Sequence, residues 1–168
     1  MDTIEVRTDV YLPPEEVYAF LIDFPRYARY SKHLTDVRQY GDGTPGTAYE
    51  LDFSWWKLTY TARSRVSAVD PPNRIDWTIT KDLDAAGYWQ VEPIEGDGAD
   101  HSRVTLHVEY APGSVDDGIL DLPGFVSLDW VVQKVKPKVK AEAERVVRRI
   151  VADIEGERRD VELQIETR

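Results

Sequence analysis

Residues 12–34 read LPPEEVYAFLIDFPRYARYSKHL, and this stretch predicts two short helices joined at a proline. Pro13 and Pro14 favour the start of a helix, and the two glutamates after them place negative charge in the first turn, where the helix dipole stabilises it. Pro25 disfavours helical geometry in the residue before it and suits the first turn of a second helix. The chain is therefore expected to turn at Pro25.

The aromatic and basic residues after Pro25 follow helical spacing, so they separate onto two faces of the second helix. We expect the tyrosines to face inward and the arginines to stay in water, or to hold a polar ligand head at a rim. Core packing without any ligand is the alternative. The inward face carries Tyr27, Tyr30 and Leu34, and the other face carries Arg26, Arg29 and His33.

Strand patterns lie on both sides of this helical stretch. Before it, apolar and polar residues alternate in TIEVRTDVY (3–11), which indicates a half-buried strand. After it, turns rich in glycine and proline separate six further strand-like runs. Between 128 and 154, apolar residues recur at helical spacing and predict one long helix. The six runs are 37–40, 47–55, 58–69, 74–80, 87–94 and 103–110.

This order of elements resembles the helix-grip fold of the START-like (SRPBCC) superfamily, close to the polyketide cyclase/dehydrase and coenzyme Q-binding proteins. The residues that carry the resemblance are 12–34, GYWQVEPIEGDGADHSRVTLHVEYAP at 87–112, and the valine-rich C-terminal helix. The resemblance implies an α+β fold, in which a seven-stranded curved antiparallel sheet wraps around a long C-terminal helix, with two short helices after strand 1. We expect one ligand-binding domain over residues 1–154 and a tail, 155–168, that is an extra strand or disordered.

Composition excludes several classes of function. The chain of 168 residues has no cysteine, so disulfides, thiolate catalysis and cysteine-based metal sites are ruled out. Its net charge of −10 opposes binding to nucleic acid. No long apolar run and no secretion signal are visible, so we expect a cytoplasmic protein without stable membrane insertion. The acidic, lysine-poor composition also suggests a halophilic source as a hypothesis.

The resemblance implies an apolar cavity between the sheet and the long helix, and the strand phase predicts which residues would face it. For any one of these residues, packing in a filled core is the competing interpretation. The predicted ligand-binding residues are Tyr27, Tyr30, Tyr49, Phe53, Leu58, Tyr60, Ala62, Trp77, Ile79, Trp89, Val91, Leu106, Leu128, Val131, Val132 and Val135, with Arg26 and Arg29 at the rim.

The inward strand phase offers few groups for acid–base chemistry. Glu50 and Asp52 share the outward phase, where Arg63 and Arg65 are suitable cross-strand partners. The three histidines, His33, His101 and His107, lack metal-ligand spacing, and we predict no metal site and no cofactor. If the protein is an enzyme, the candidate catalytic residues are Tyr60, Tyr49 and Ser64.

The first functional hypothesis is a protein that binds a hydrophobic small molecule, such as a lipid, a quinone or a polyketide-like compound, and transports or presents it. The alternative is a polyketide cyclase/dehydratase-type enzyme acting in the same cavity. A second alternative is an interaction module without a ligand, working through Trp130 and the tail. The same two features are the candidate contacts of a homodimer.

Overall fold

The computed structural model describes residues 2–55, 58–81, 83–94, 101–111 and 128–168. In this part of the chain, no helix is both long enough and apolar enough to cross a membrane. The elements, in chain order, are β1 (Asp2–Val10), α1 (Pro14–Leu21), a 3-10 helix (Phe24–Arg29), β2 (Leu34–Tyr40), β3 (Ala48–Trp55), β4 (Leu58–Asp70), β5 (Arg74–Ile79), β6 (Ala85–Pro93), β7 (Ser102–Tyr110), α2 (Leu128–Glu155) and β8 (Gln164–Thr167).

The strands form one antiparallel sheet in the order β2-β3-β4-β5-β6-β7-β1-β8. The α+β helix-grip fold is confirmed, but the predicted count of seven strands is wrong, because β8 adds an eighth. β8 pairs with β1 of the same chain, with Val6 opposite Ile165. The end of the tail, where apolar and polar residues alternate, pairs with the free edge of β1. This pairing gives backbone groups of both strands their hydrogen-bond partners.

The second helix is shorter and tighter than the sequence predicted. It is a six-residue 3-10 helix, and Leu34, which we assigned to its inner face, is instead the buried first residue of β2. A 3-10 helix has three residues per turn, so positions three apart eclipse one another. Phe24, Tyr27 and Tyr30 therefore line up along one side of this segment.

A bulge in β4 preserves the apolar face of the sheet. Val66 lies opposite Trp77 and Val69 lies opposite Ile75, with a register shift between them. A regular strand would put residues three apart on opposite faces, and the extra residue of the bulge returns Val69 to the inner side. The concave face of β4 therefore stays apolar across the bulge, from Val66 to Val69.

The core lies between the concave face and the helices. Its main cluster contains the apolar side of α1, Phe24 and Tyr30, and the inward residues of the sheet; Val146, Ile150 and Ile154 of α2 pack against it. A second cluster, centred on Val151, joins the neighbouring line of α2 to the β1–β8 edge. These two lines of apolar side chains hold the C-terminal half of α2 on the sheet.

The convex face carries charged pairs. Arg38 Nη1 lies 2.6 Å from Asp52 Oδ2, and Arg63 Nε lies 3.5 Å from Glu50 Oε2. The two carboxylates thus lie outward beside arginines, and Thr61 also donates a hydrogen bond to Asp52 at 2.7 Å. Their partners make them part of the sheet surface rather than a catalytic pair.

Gly87 gives the Trp77 ring its space on the concave face. The two residues lie opposite each other on β6 and β5. A Cβ atom at Gly87 would lie 2.3 Å from the backbone oxygen of His107 and 2.6 Å from Cζ2 of Trp77. Neither distance is compatible with van der Waals contact, so a side chain at this position requires the strand and the ring to move.

We therefore expect Gly87→Ala to lower the free energy of unfolding by about 1–3 kcal/mol, the usual cost of overpacking, and to change the fluorescence of the folded state by displacing Trp77. Urea unfolding followed by tryptophan emission measures both effects. An unchanged midpoint and an unchanged folded-state spectrum would contradict the close packing.

His107 lies between two carboxylates on the convex face. Its Nδ1 lies 3.0 Å from Glu5 and its Nε2 lies 3.2 Å from Glu109, and its ring stacks on Tyr88 with the centroids 4.9 Å apart. The hydrogen bond to Glu5, opposed by burial and helped by Glu109, raises the pKa of His107 above its ordinary value. Protonated His107 therefore stabilises the folded state.

This contribution has a definite pH dependence. It is fully present below about pH 6.5, the ordinary pKa of histidine, and it is lost as the pH rises through the raised pKa of the folded state. Compared with the wild type, His107→Gln should lose up to about 1 kcal/mol of unfolding free energy at pH 6 and much less at pH 9. His101→Gln is the control, because that ring stacks on Tyr11 instead. If the unfolding free energies of the wild type and His107→Gln differ by the same amount at every pH, the stabilising role of protonated His107 is refuted.

Candidate ligand-binding face

The candidate site is the concave face of the sheet, opposite α2. Several predicted ligand-binding residues lie together at its closed end, where α1 and the 3-10 helix cover the sheet. Among them, Tyr49 is 0% exposed, Val91 is 1% exposed and Tyr30 is 6% exposed. At this end the face is packed as a core.

The packing loosens along β3 towards the β3–β4 connection. Tyr49, Leu51 and Phe53 share the inward phase, and their exposure rises from 0% through a half-buried Leu51 to 39% at Phe53. Tyr60 lies opposite Phe53 and Ala62 opposite Leu51 on β4, and both are half-buried. A face that is closed at one end and open at the other leaves apolar surface accessible. The other half-buried predicted residues are Tyr27, Trp77, Ile79, Trp89 and Leu106.

Tyr27 is half-buried against the core, and its hydroxyl has a hydrogen-bond partner. Its ring packs between Phe20 and Trp89, with centroids 5.7 and 6.5 Å away, and its hydroxyl donates to the backbone oxygen of Leu21. Burial, followed by the nearby Tyr49 and Asp23, raises the pKa of Tyr27 well above its ordinary value. Because its hydroxyl is neutral and already bonded, Tyr27 shapes the closed end and does not offer a free polar group.

Tyr49 differs from Tyr27 because its hydroxyl is buried without a hydrogen-bond partner among the described residues. The ring packs 4.5 Å from that of Phe24, and Ser64 lies directly opposite on β4. Burial, with smaller effects from Asp23 and Asp42, raises the pKa of Tyr49. An unsatisfied buried hydroxyl costs about 1–3 kcal/mol, so this neutral group can gain from a ligand that bonds to it.

The predicted rim residues have different positions. Arg26 Nη2 lies 3.2 Å from Asp153 Oδ2 on α2, while Arg29 is exposed. Tyr30 donates its hydroxyl to the same Asp153 carboxylate, and Arg149 Nη1 donates to the Tyr30 backbone oxygen at 2.9 Å. Arg26, Tyr30, Arg149 and Asp153 form a clamp that ties the last turns of α2 to the 3-10 helix.

Sequence reasoning missed Glu142 of α2. Its side chain is 18% exposed, and its Oε1 atom is buried without a partner among the described residues. Glu142 lies four residues before Val146, so this acidic residue continues a line of α2 that packs on the core. The signal was present in the sequence as a carboxylate within an apolar stripe, but the stripe was assigned from its apolar members only.

Part of the predicted site lies outside the described side chains, namely Leu58, Leu128, Val131, Val132 and Val135; Trp130 is outside them as well. Ser64 is buried beside Tyr49, and Tyr60 is half-buried. Within the ranges that the structure describes, no three His, Asp or Glu side chains are grouped in a way that could hold a metal ion.

A polar cleft of about 250 Å³ lies elsewhere, where the chain after α2 passes the end of β1. Its arginines are engaged by acidic groups: Arg103 lies 3.1 Å from Asp9, and Arg159 lies 2.8 Å from Glu155. Because the cleft is polar and internally paired, it is not the predicted apolar site.

Comparison with known proteins agrees with this architecture. The family described as "Polyketide cyclase / dehydrase and lipid transport" matches residues 1–151. The chain belongs to this family. No curated protein matches it.

Solved structures share the fold at low sequence identity. The ZhuI aromatase/cyclase from Streptomyces sp. R1128 has a TM-score of 0.64 and 15% identity, covering 92% of this chain and 94% of that one. TTHA0849 from Thermus thermophilus has a TM-score of 0.61 and 18% identity, with coverage of 92% and 97%. The di-domain aromatase/cyclase StfQ of the steffimycin biosynthetic pathway has a TM-score of 0.62 and 13% identity, with coverage of 92% and 52%.

The clamp gives a further prediction. The hydrogen bond from Tyr30, followed by that from Arg26, lowers the pKa of Asp153, so this carboxylate stabilises the fold above its ordinary pKa and the effect is lost as the pH falls. Tyr30→Phe should raise the pKa of Asp153 in a carboxyl NMR titration and speed amide exchange in the last turns of α2. Arg29→Gln is the comparison: Arg29 lowers the pKa of Asp153 only through its charge and is the last of the causes, so its removal should raise that pKa less than Tyr30→Phe does. An unshifted Asp153 in Tyr30→Phe would show that the clamp is not formed.

Proposed function

We propose that the protein binds a hydrophobic small molecule on the open part of the concave face, under α2, and transports or presents it. The observation that carries this proposal is the exposure of inward-facing apolar residues, above all Phe53 at 39%. Large apolar side chains on the inner face of a sheet are normally covered. A lipid, a quinone or a polyketide-like molecule would cover them and gain about 25 cal/mol for each Å² of apolar surface removed from water.

The Tyr49 hydroxyl supports the same proposal. Ligand sites of this kind are mostly apolar with a few polar groups that fix orientation. Tyr49 is fully buried at the closed end, next to the half-buried Leu51 on the inward phase of β3, and its hydroxyl has no described partner. It would bond to a carbonyl or hydroxyl oxygen of the ligand.

A cyclase/dehydratase-type enzyme is the second candidate. Two observations favour it: the structural similarity to two aromatase/cyclases, and a buried, neutral Tyr49 hydroxyl on the residue opposite Ser64. In this role Tyr49, Ser64 and Tyr60 would orient a polyketide-like chain for ring closure and loss of water. A cytoplasmic location, a halophilic source and a homodimer remain predictions.

Native mass spectrometry of the purified protein, followed by solvent extraction, tests the proposed function. A lipid, quinone or aromatic compound that co-purifies, and exchanges when the same class is added back, is the expected result. A protein that is empty and stays empty with a panel of all three classes would overturn the proposal. Incubation of any bound polyketide-like compound with the protein, followed by detection of cyclised product, separates an enzyme from a carrier.

Tyr49→Phe should separate a ligand role from a core role. Without ligand, the variant should be more stable than the wild type, because an unsatisfied hydroxyl is removed from the core. Affinity for a carbonyl-bearing ligand should fall by about 0.5–1.5 kcal/mol, the net value of one hydrogen bond. Thermal unfolding without ligand and fluorescence titration measure the two effects. Tyr11→Phe, at an exposed tyrosine, should change neither; equal ligand affinity in Tyr49→Phe and the wild type would exclude Tyr49 as the anchor.

A further inference from the structure

Glu142 lies on the flank of α2, next to the apolar residues that pack on the sheet. Val146, one turn further along, packs on the main core cluster. Arg149, two turns further along, donates a hydrogen bond to the backbone oxygen of Tyr30. Residues at these spacings lie along one side of a helix, so Glu142 lies on the side of α2 between the apolar stripe and the clamp.

The two carboxylate oxygens of Glu142 have different surroundings. One of them, Oε2, lies 3.4 Å from Nη1 of Arg145, whose side chain is 58% exposed. The other, Oε1, is buried and has no hydrogen-bond partner in the described part of the chain. Burying an acceptor without a donor is costly, and more so for a charged group. A hydrogen-bond donor that is not one of the described protein groups, such as a ligand hydroxyl, would therefore be favourable next to Oε1.

Tyr49 presents a second unpartnered polar group, from the sheet side. One group is a carboxylate, which accepts hydrogen bonds when ionised, and the other is a neutral hydroxyl, which can also donate. A ligand hydroxyl can donate to the Glu142 carboxylate, and an oxygen of a ligand can accept from the Tyr49 hydroxyl. An anionic lipid fits poorly, because its carboxylate would meet that of Glu142.

We propose that Glu142 is a specificity-determining residue of the ligand site: it accepts a hydrogen bond from a hydroxyl group of a neutral, apolar ligand and disfavours carboxylate-bearing lipids. This proposal rests on the proposed function and names the ligand chemistry within it. It assigns the polar end of the ligand to α2, while the apolar body covers the open residues of β3 and β4.

Matched probes test this role. 2-Naphthol and 2-methoxynaphthalene share one apolar body, and only the first can donate a hydrogen bond; dodecanoate is the anionic probe. We expect the wild type to bind 2-naphthol about tenfold more tightly than the methyl ether, as a hydrogen bond to a charged group implies. Glu142→Leu should abolish this preference without weakening the methyl ether, and Glu142→Gln should increase dodecanoate affinity. Glu157→Gln, at an exposed glutamate beyond α2, should leave all three affinities unchanged.

The outcomes separate this inference from the proposed function. If the wild type and Glu142→Leu bind both naphthalenes with equal affinity, the apolar site stands and the role of Glu142 is refuted. If the wild type binds none of the three probes, the proposed function loses its support and the inference fails with it. Circular dichroism and the melting temperature show whether each variant is folded. If Glu142→Leu is not folded, Glu142→Gln provides the test, because it keeps the size of the side chain.

Discussion

One long helix, α2, lies over the concave face of an eight-stranded sheet and is much narrower than that sheet, and the candidate site follows from this difference in width. Strands spaced by about 4.8 Å make such a sheet roughly 34 Å wide before curvature, whereas a helix with its side chains is about 10–12 Å across. α1 and the 3-10 helix cover one end. The uncovered remainder has to be closed by curvature, by other parts of the chain or by a ligand.

The position of α2 over this face is set mainly by burial. Val146, Ile150 and Ile154 contact the main core, and Val151 belongs to the second cluster at the β1–β8 edge. The clamp adds direction to these contacts, because Asp153 can meet Arg26 and Tyr30 in only one rotation of the helix. Exposed ion pairs contribute little free energy. The apolar contacts therefore hold α2 on the sheet, and the clamp determines the rotation of α2 about its axis. Fixing that orientation also places Glu142 beside the apolar line that contains Val146.

The sequence correctly predicted those structural elements that depend on a local pattern of residues. Alternation located the strands, Pro25 located the turn between the short segments, and helical spacing located α2, because each of these signals acts over a few residues. It failed where tertiary contacts decide. The alternation of 161–167 was visible, but only the free edge of β1 turns its last residues into an eighth strand. Glu142 was missed because one polar residue in an apolar stripe gains meaning only from what surrounds it, and the unpartnered hydroxyl of Tyr49 is a property of the packed core.

Whether this face could catalyse a reaction, rather than only bind a ligand, depends on whether it has a group that can accept a proton. Tyr27 and Tyr49 have raised pKa values because they are buried, so at neutral pH both remain protonated and act only through hydrogen bonds. A binding protein needs no more than this. Ring closure followed by loss of water also needs a group that takes a proton from carbon and one that returns a proton to the departing oxygen. Among the described residues of α2, Glu155 is buried but paired with Arg159, whereas Glu142 has a buried oxygen without a partner. A catalytic interpretation that uses a carboxylate therefore depends on Glu142 of α2 rather than on the sheet.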